Sequence, residues 1–236
     1  MINIIDTCRN VVGDKYAVIK LLILTIPVLI NVYAYVGGQM VLANTLNIIF
    51  GVVFAAVFFE TIRRSCCAEP MLMPSFMMPV RMFITLGLTI VAAVPAVVVC
   101  GGIVYGYFEL MKSFPEISQT PTVYWFVTVV FILFTLSLFF ASVTQFLNSG
   151  KIFDSYNPVK VIKALNTFLV NFLGFSIQNA LFFGLFALVP INLIAVVAGF
   201  KYDNFFIYLY ASFYSVLNFI MFADFIAQTK KESECD

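Results

Sequence analysis

Five long runs of uncharged, mostly apolar residues dominate the hydropathy pattern of this chain, and short polar stretches separate them. The runs cover residues 21–59, 82–108, 117–150, 164–200 and 204–223. A helix that crosses the ~30 Å hydrocarbon core of a bilayer needs about 20 predominantly apolar residues. Every run reaches that length, so the pattern predicts a chain that crosses a membrane several times.

Six membrane-spanning helices follow from these runs, because Gly37-Gly38-Gln39 divides the longest run into two. The predicted spans cover approximately residues 19–36, 40–59, 82–108, 123–147, 174–199 and 204–226. An even number of spans pairs them into three hairpins and returns both termini to one side. We therefore predict an all-α transmembrane bundle that forms a single domain over residues 1–236.

The distribution of basic residues predicts which side holds the termini. The two termini and the loops on their side carry eleven of the 13 Lys and Arg residues, and the opposite loops carry only Lys112 and Lys201. Lys and Arg accumulate in cytoplasmic loops, and Tyr and Trp accumulate at membrane interfaces. Most of the Tyr residues near span ends, and Trp125, fall at the end opposite to the basic loops. We expect both termini in the cytoplasm and the chain in the cell membrane, with a bacterial inner membrane favoured.

Composition and charge narrow the possible chemistry. Charged residues make up 11% of the chain, whereas soluble proteins carry about 25%. The net charge of +1 does not favour a nucleic-acid partner, and the chain has no His. Its five Cys form no metal-binding spacing, which predicts free thiols in a reducing compartment. With no nucleophile–His–acid set and no phosphate-binding loop, we expect neither an enzyme nor a cofactor.

Two amphipathic stretches come directly before predicted hairpins. Residues 158–172 follow an Asn157-Pro158 helix start, carry apolar residues on one face and Lys on the other, and end before Gly174. Residues 3–12 show the same pattern and are followed by Gly13. Both patterns predict helices that lie flat in the cytoplasmic interface before the chain turns into the membrane.

This arrangement resembles uncharacterised bacterial membrane-protein families, including those near the glycerophosphodiester-phosphodiesterase membrane domains. The residues that carry the resemblance run from Asn157-Pro158-Val159-Lys160 to Gly174 and, more loosely, from Asp14 to Pro27. The resemblance implies a multi-pass membrane fold. It contains no catalytic motif, so it assigns no functional residue.

A threefold pattern also follows the three hairpins. Each outward helix carries one mid-span proline, namely Pro27, Pro95 and Pro190. The return helices end with similar residues, so that Phe59, Phe140 and Phe222 lie 81 and 82 positions apart. Either the chain contains a repeat, or its Phe-rich composition produces such pairs near interfaces.

Several uncharged residues within the spans are candidate site residues. The polar ones either line a solute path or form hydrogen bonds between helices; they are Asn44, Asn47, Gln178, Asn179 and Asn192. Each mid-span proline kinks its helix and frees a carbonyl, which either binds a cation or is satisfied by a neighbour. The small residues predict close helix packing inside the chain, with oligomerisation as the alternative; they are Gly102, Gly106, Gly184 and Gly199.

Charged and sulfur-bearing residues lie near the basic span ends. Glu60 and Asp224 are isolated acidic residues at span ends and form no acidic cluster in the sequence, and Glu60 is expected to pair with Arg64 four residues later. The second loop contains Cys66-Cys67 and a Met-rich stretch. Its sulfur atoms suit either Cu(I) or an adaptable contact with lipid or a partner.

Two functions remain open from the sequence. The favoured one is a non-enzymatic scaffold or accessory subunit that contacts the lipid bilayer and either other membrane proteins or further copies of itself. The alternative is a permease or channel for a small neutral or apolar solute. A continuous polar cavity between the hairpins would favour transport, whereas a solid centre of Phe and Leu would favour the scaffold.

Overall fold

The computed structural model describes residues 2–14, 16–67, 78–197, 199 and 204–235. Nine α-helices occur within these residues: α1 Ile4–Val12, α2 Ala17–Val36, α3 Met40–Cys66, α4 Met78–Ser113, α5 Pro115–Gln119, α6 Pro121–Ser149, α7 Pro158–Phe183, α8 Val189–Val197 and α9 Phe205–Cys235. A 3-10 turn, Ile152–Tyr156, precedes α7, and a π turn, Gly184–Leu188, joins α7 to α8.

Six helical segments are long and apolar enough to cross a membrane, and α7, the π turn and α8 together form one of them. No strand occurs in the described residues. The all-α membrane bundle expected from the sequence is therefore confirmed. Around the bundle, α2 contacts α3, α3 contacts α4, α4 contacts α6, α6 contacts α7, and α9 contacts α2, α3 and α7.

Each long helix turns one face to its neighbours and leaves the other uncovered. On α4, Thr85, Thr89 and Ala96 lie on the buried face at helical spacing. The opposite face is apolar and open, and Val98 on it is 69% exposed. An apolar helix face that is open along the helix is unfavourable in water. It is the surface that a helix embedded in lipid requires.

The basic end of the bundle is defined by the residues Arg63, Arg64, Arg81, Lys160 and Lys230. Helices α3 and α9 extend past their predicted spans at this end, to Cys66 and Cys235. Their charged residues here bind other side chains of the bundle. The helices continue because these polar groups are paired within the bundle.

The predicted break at Gly174 does not exist. Asn157 does cap the helix, since its side chain accepts hydrogen bonds from the N–H groups of Val159 and Lys160. The helix then runs through Gly174 to Phe183, so the expectation of a separate interfacial helix over residues 158–172 is wrong. A mid-helix glycine costs only about 1 kcal/mol, and the continuous helix buries both Phe172 and Phe175.

Candidate functional site: an aromatic centre with polar neighbours

Three phenylalanines, one each from α3, α6 and α9, meet inside the bundle. The ring centroids are 6.0 Å apart for Phe58–Phe140, 5.9 Å for Phe58–Phe222 and 5.9 Å for Phe140–Phe222. Each lies 82 positions after the one before, at 58, 140 and 222. The equivalent residue of the first hairpin is thus Phe58 and not Phe59, so the sequence alignment of the three hairpins is corrected by one position.

Further phenylalanines from α7 and α9 surround this triad. The rings of Phe175 and Phe225 stack with centroids 4.2 Å apart, and Phe172 lies 5.9 Å from Phe140. We call the whole group the phenylalanine core; its members are Phe58, Phe140, Phe172, Phe175, Phe219, Phe222 and Phe225. Each such ring pair contributes about 0.5–1.5 kcal/mol beyond area burial. The helices therefore meet through aromatic contacts rather than around a polar cavity.

A buried carboxylate lies two residues after the first member of the triad. Glu60 is fully buried, and its two oxygens accept hydrogen bonds from Arg63 at 2.8 and 2.9 Å, Arg64 at 2.8 Å and Thr85 at 2.8 Å. The Arg81 Nε atom lies 3.5 Å from the same group. The expected pair of Glu60 with Arg64 is present, and it belongs to a cluster that joins α3 to α4.

A second carboxylate, Asp224, occupies the equivalent position after Phe222. It is 1% exposed and accepts hydrogen bonds from Ser65 of α3 at 2.5 Å and Asn10 of α1 at 3.2 Å. Gln228 on its own helix donates to it as well. Helix α3 therefore carries Glu60 and also binds Asp224 through Ser65.

The third equivalent position is Ser142 on α6, since residues 60, 142 and 224 repeat the spacing of 82. Its hydroxyl donates to the carbonyl of Ser155 in the 3-10 turn at 2.9 Å. Each return helix thus has a triad phenylalanine followed two residues later by a polar group that binds another element. We call these three groups and their partners the polar layer.

Lysine and amide side chains extend the polar layer across α6, α7 and α9. Lys230 is 3% exposed; it donates to Gln145 at 2.8 Å and pairs with Glu234 at 3.0 Å. Asn171 of α7 donates to Glu232 at 2.5 Å. A buried polar group that loses its partner is left without a hydrogen bond, which is costly. Local opening of the basic end would separate these pairs, so the pairs stabilise it in the closed arrangement.

An amide pocket lies beside the phenylalanine core, between α6, α7 and α9. Its volume is about 430 Å³, and its polar lining consists of Ser176, Asn179, Ser215 and Asn218. The side-chain carbonyl oxygens of Asn179 and Asn218 are buried and have no hydrogen-bond partner among the described residues. Phe222 also lines the pocket, so the triad closes it on one side.

The other predicted polar residues do not join into one path. Asn47 accepts a hydrogen bond from Asn31 between α2 and α3 at 2.5 Å, while Asn44 is exposed on α3. Gln178 accepts from the Ile4 N–H at 2.8 Å and so holds α1. Asn192 donates to the carbonyl of Leu188 one turn earlier in its own chain segment. Among the five candidates, only Asn179 lines the amide pocket.

Two of the three proline-freed carbonyls bind tyrosine hydroxyls. Pro95 cannot donate to the carbonyl of Val91, and Tyr156 of the 3-10 turn donates to that carbonyl at 3.0 Å. Pro190 leaves the carbonyl of Phe186 free in the same way, and Tyr210 of α9 donates to it. Sequence reasoning did not identify these tyrosines, since both lie far from the prolines along the chain. At these two sites the carbonyls serve the fold and are not open to a cation.

The candidate packing glycines have no close neighbour among the described residues. A Cβ atom added to Gly102, Gly106 or Gly184 would meet nothing within 4 Å in the described structure. The same holds for Gly199, whose φ of +65° itself favours glycine. Internal close packing, the favoured expectation for these residues, is therefore wrong for a single copy. The alternative, contact with a second chain, stays a prediction.

The Met-rich part of the second loop, residues 68–77, lies outside the described residues. Of the two cysteines before it, Cys66 is buried and Cys67 is exposed. Within the described parts of the chain, no group of three or more His, Cys, Asp or Glu is arranged to hold a metal ion.

Comparison with known proteins assigns no family. No family model matches the chain, and no curated protein or solved structure matches it significantly. The resemblance carried by residues 157–174 stays a prediction.

Proposed function

We propose that the protein is a non-enzymatic membrane scaffold or accessory subunit. The observation that carries this proposal is the phenylalanine core, because the triad of Phe58, Phe140 and Phe222 occupies the position that a solute path between the three hairpins would need. The polar layer also supports the proposal. Buried ion pairs and hydrogen bonds at the basic end favour one fixed arrangement of helices over alternating ones.

An open face of α4 supports contact with another transmembrane helix. We define this α4 outer face by Val94, Val98, Gly102 and Tyr105, which recur at helical spacing and are all exposed. Small residues allow two helix backbones to approach closely, and the GxxxG of Gly102 and Gly106 is such a motif. The proposed partner is a transmembrane helix of another membrane protein or of a second copy.

Photo-crosslinking in native membranes tests this proposal. A photoreactive amino acid replaces Val98 on the α4 outer face, and the matched control replaces Ile48 on α3; the two positions are 69% and 72% exposed. The scaffold proposal predicts a protein adduct of defined mass at Val98 and lipid adducts alone at Ile48. Twice the chain mass identifies a second copy as the partner. Lipid adducts alone at both positions would overturn the proposal.

The amide pocket supports a second candidate function, a permease for a small neutral solute. Its two buried amide oxygens lack partners among the described residues, and buried polar groups normally have them. Swelling of proteoliposomes in urea or glycerol tests the idea. Transport predicts uptake that Asn218→Leu abolishes and that Asn44→Leu, at an exposed position, preserves. Uptake no faster than in protein-free liposomes would refute it.

We further propose that the basic end faces the cytoplasm, as the distribution of Lys and Arg predicts. A membrane-impermeant maleimide applied to intact cells tests this with Lys112→Cys and Lys151→Cys in a cysteine-free chain. The proposal predicts labelling at position 112 only. Labelling at position 151 alone would reverse the orientation.

A further inference from the structure

A large apolar groove lies between α1, the α7–π-turn segment and α9. Its volume is about 1130 Å³. Most of its lining is aliphatic or aromatic, including Ile5, Leu181, Leu185, Phe213 and Leu217. Ile5, Leu181 and Leu185 are each more than half exposed, so the groove opens to the medium around the bundle. In a membrane that medium supplies acyl chains.

Helix α1 forms one wall of the groove and is fixed by hydrogen bonds at both of its ends. Gln178 accepts from the Ile4 N–H at 2.8 Å, and Asn10 donates to Asp224 at 3.2 Å. Thr7 is fully buried on the face toward the bundle. The wall therefore exists before a ligand binds, which reduces the ordering cost of binding.

Among the described residues, one charged group lines the groove. This group is Arg9, which is exposed and whose guanidinium has neither a hydrogen bond nor an ion pair with the described part of the chain. No carboxylate of the described residues lines the groove, and burial raises the pKa of the Cys8 thiol, so that this side chain is neutral. An apolar groove with one guanidinium at its edge complements a negatively charged group attached to a hydrocarbon chain.

A buried hydroxyl gives a second, independent indication of a ligand. Tyr214 lines the groove and is 5% exposed, and its hydroxyl has no partner among the described residues. Its ring is held against those of Phe182 and Phe183. Buried tyrosine hydroxyls normally find a hydrogen-bond partner. An ester or phosphate oxygen of a bound lipid would accept from it.

We propose that this groove is a binding site for one anionic phospholipid, with an acyl chain along Leu181, Leu185 and Phe213 and the phosphate at Arg9. The single uncompensated positive charge favours a lipid with net negative charge over a zwitterionic one. The proposal is independent of the scaffold function, since it uses neither the phenylalanine core nor the α4 outer face.

Native mass spectrometry of the full-length protein tests the proposal. The protein is released from nanodiscs that contain phosphatidylcholine and a minor fraction of phosphatidylglycerol, and the retained lipid is counted. We expect one phosphatidylglycerol per chain. Arg9→Gln should weaken its retention about tenfold, as expected for the loss of a charge-assisted hydrogen bond. Lys151→Gln, which removes the same charge at an exposed position outside the groove, should leave retention unchanged.

A groove-filling variant separates the acyl site from the charge. Leu181 is 66% exposed, so Leu181→Trp can occupy the groove without entering the core, and an unchanged unfolding temperature confirms that the variant folds. It should lose the bound lipid while Arg9 is intact. Three results would each overturn the proposal: equal retention of phosphatidylcholine, full retention by either groove variant, or an equal loss in Lys151→Gln.

Discussion

Glu60→Gln is the most informative single change at the basic end, because it removes a charge and keeps the size of the side chain. Glu60 is fully buried and accepts from Arg63, Arg64 and Thr85. Side chains of Arg63 and Arg81 are 16% and 51% exposed and can turn toward water. The Arg64 side chain is 6% exposed, so its guanidinium would stay buried without a counter-charge.

Loss of one partner of a buried ion pair costs about 3–5 kcal/mol, and we expect Glu60→Gln to lower the free energy of unfolding by that amount. The assay is denaturation in mixed micelles, with a thiol-reactive dye that reports exposure of the buried Cys66 and Cys100. Adding Arg64→Gln should restore part of the loss, because the uncompensated charge is then removed. A double-mutant cycle measures this coupling.

The matched control is Glu109→Gln at the other end of the bundle. Glu109 and Lys112 also form a 2.8 Å ion pair, but their side chains are 44% and 72% exposed. Exposed pairs contribute about 0–1 kcal/mol, so this variant should behave almost like the wild type. Equal losses in Glu60→Gln and Glu109→Gln would show that burial of the Glu60 cluster does not stabilise the fold.

Two further predictions concern the interior. Truncation of any triad member should lower the free energy of unfolding by about 3–5 kcal/mol, because it leaves a cavity in the phenylalanine core. The control is Phe153→Ala at an 87% exposed position, which should leave the free energy of unfolding unchanged. The triad variants are Phe58→Ala, Phe140→Ala and Phe222→Ala. Tyr156→Phe should lower the free energy of unfolding by about 1 kcal/mol, because the Val91 carbonyl that Pro95 leaves free then loses its hydrogen-bond donor. Its control is Tyr105→Phe at a 67% exposed position, and equal stability of the two variants would contradict the proposed role of Tyr156.

Hydrophobic length was enough to predict the number of spanning helices. A run of about 20 apolar residues has one low-energy arrangement in lipid, a helix with all backbone groups bonded internally. Local signals also identified the start of α7, where Asn157 caps the helix as expected. Helix ends were less predictable, because they depend on residues that lie far apart along the chain. Phe172 and Phe175, on either side of Gly174, pack against Phe140 and Phe225, and Ser65 near the end of α3 binds Asp224.

The candidate site was harder to predict because its residues are far apart along the chain and come into contact only in the folded bundle. Spacing alone could have identified the triad, since residues 58, 140 and 222 and the polar positions 60, 142 and 224 share one period. No local pattern could show that Tyr156 and Tyr210 bind carbonyls freed by Pro95 and Pro190. Nor could sequence show that Gly102 and Gly106 face outward, because a small residue permits close packing without supplying a partner.

The central claim is that lipid surrounds these helices, and the collision accessibility of a spin label at Ile48 tests it most directly. Ile48 lies on α3, near the middle of its apolar span, and is 72% exposed. In proteoliposomes the account predicts frequent collisions with molecular oxygen, which concentrates in the bilayer core, and few with a water-soluble nickel complex. A label at the exposed Lys151 should give the reverse. Frequent nickel collisions at Ile48 would mean that water faces the apolar surface of α3, and they would contradict the account.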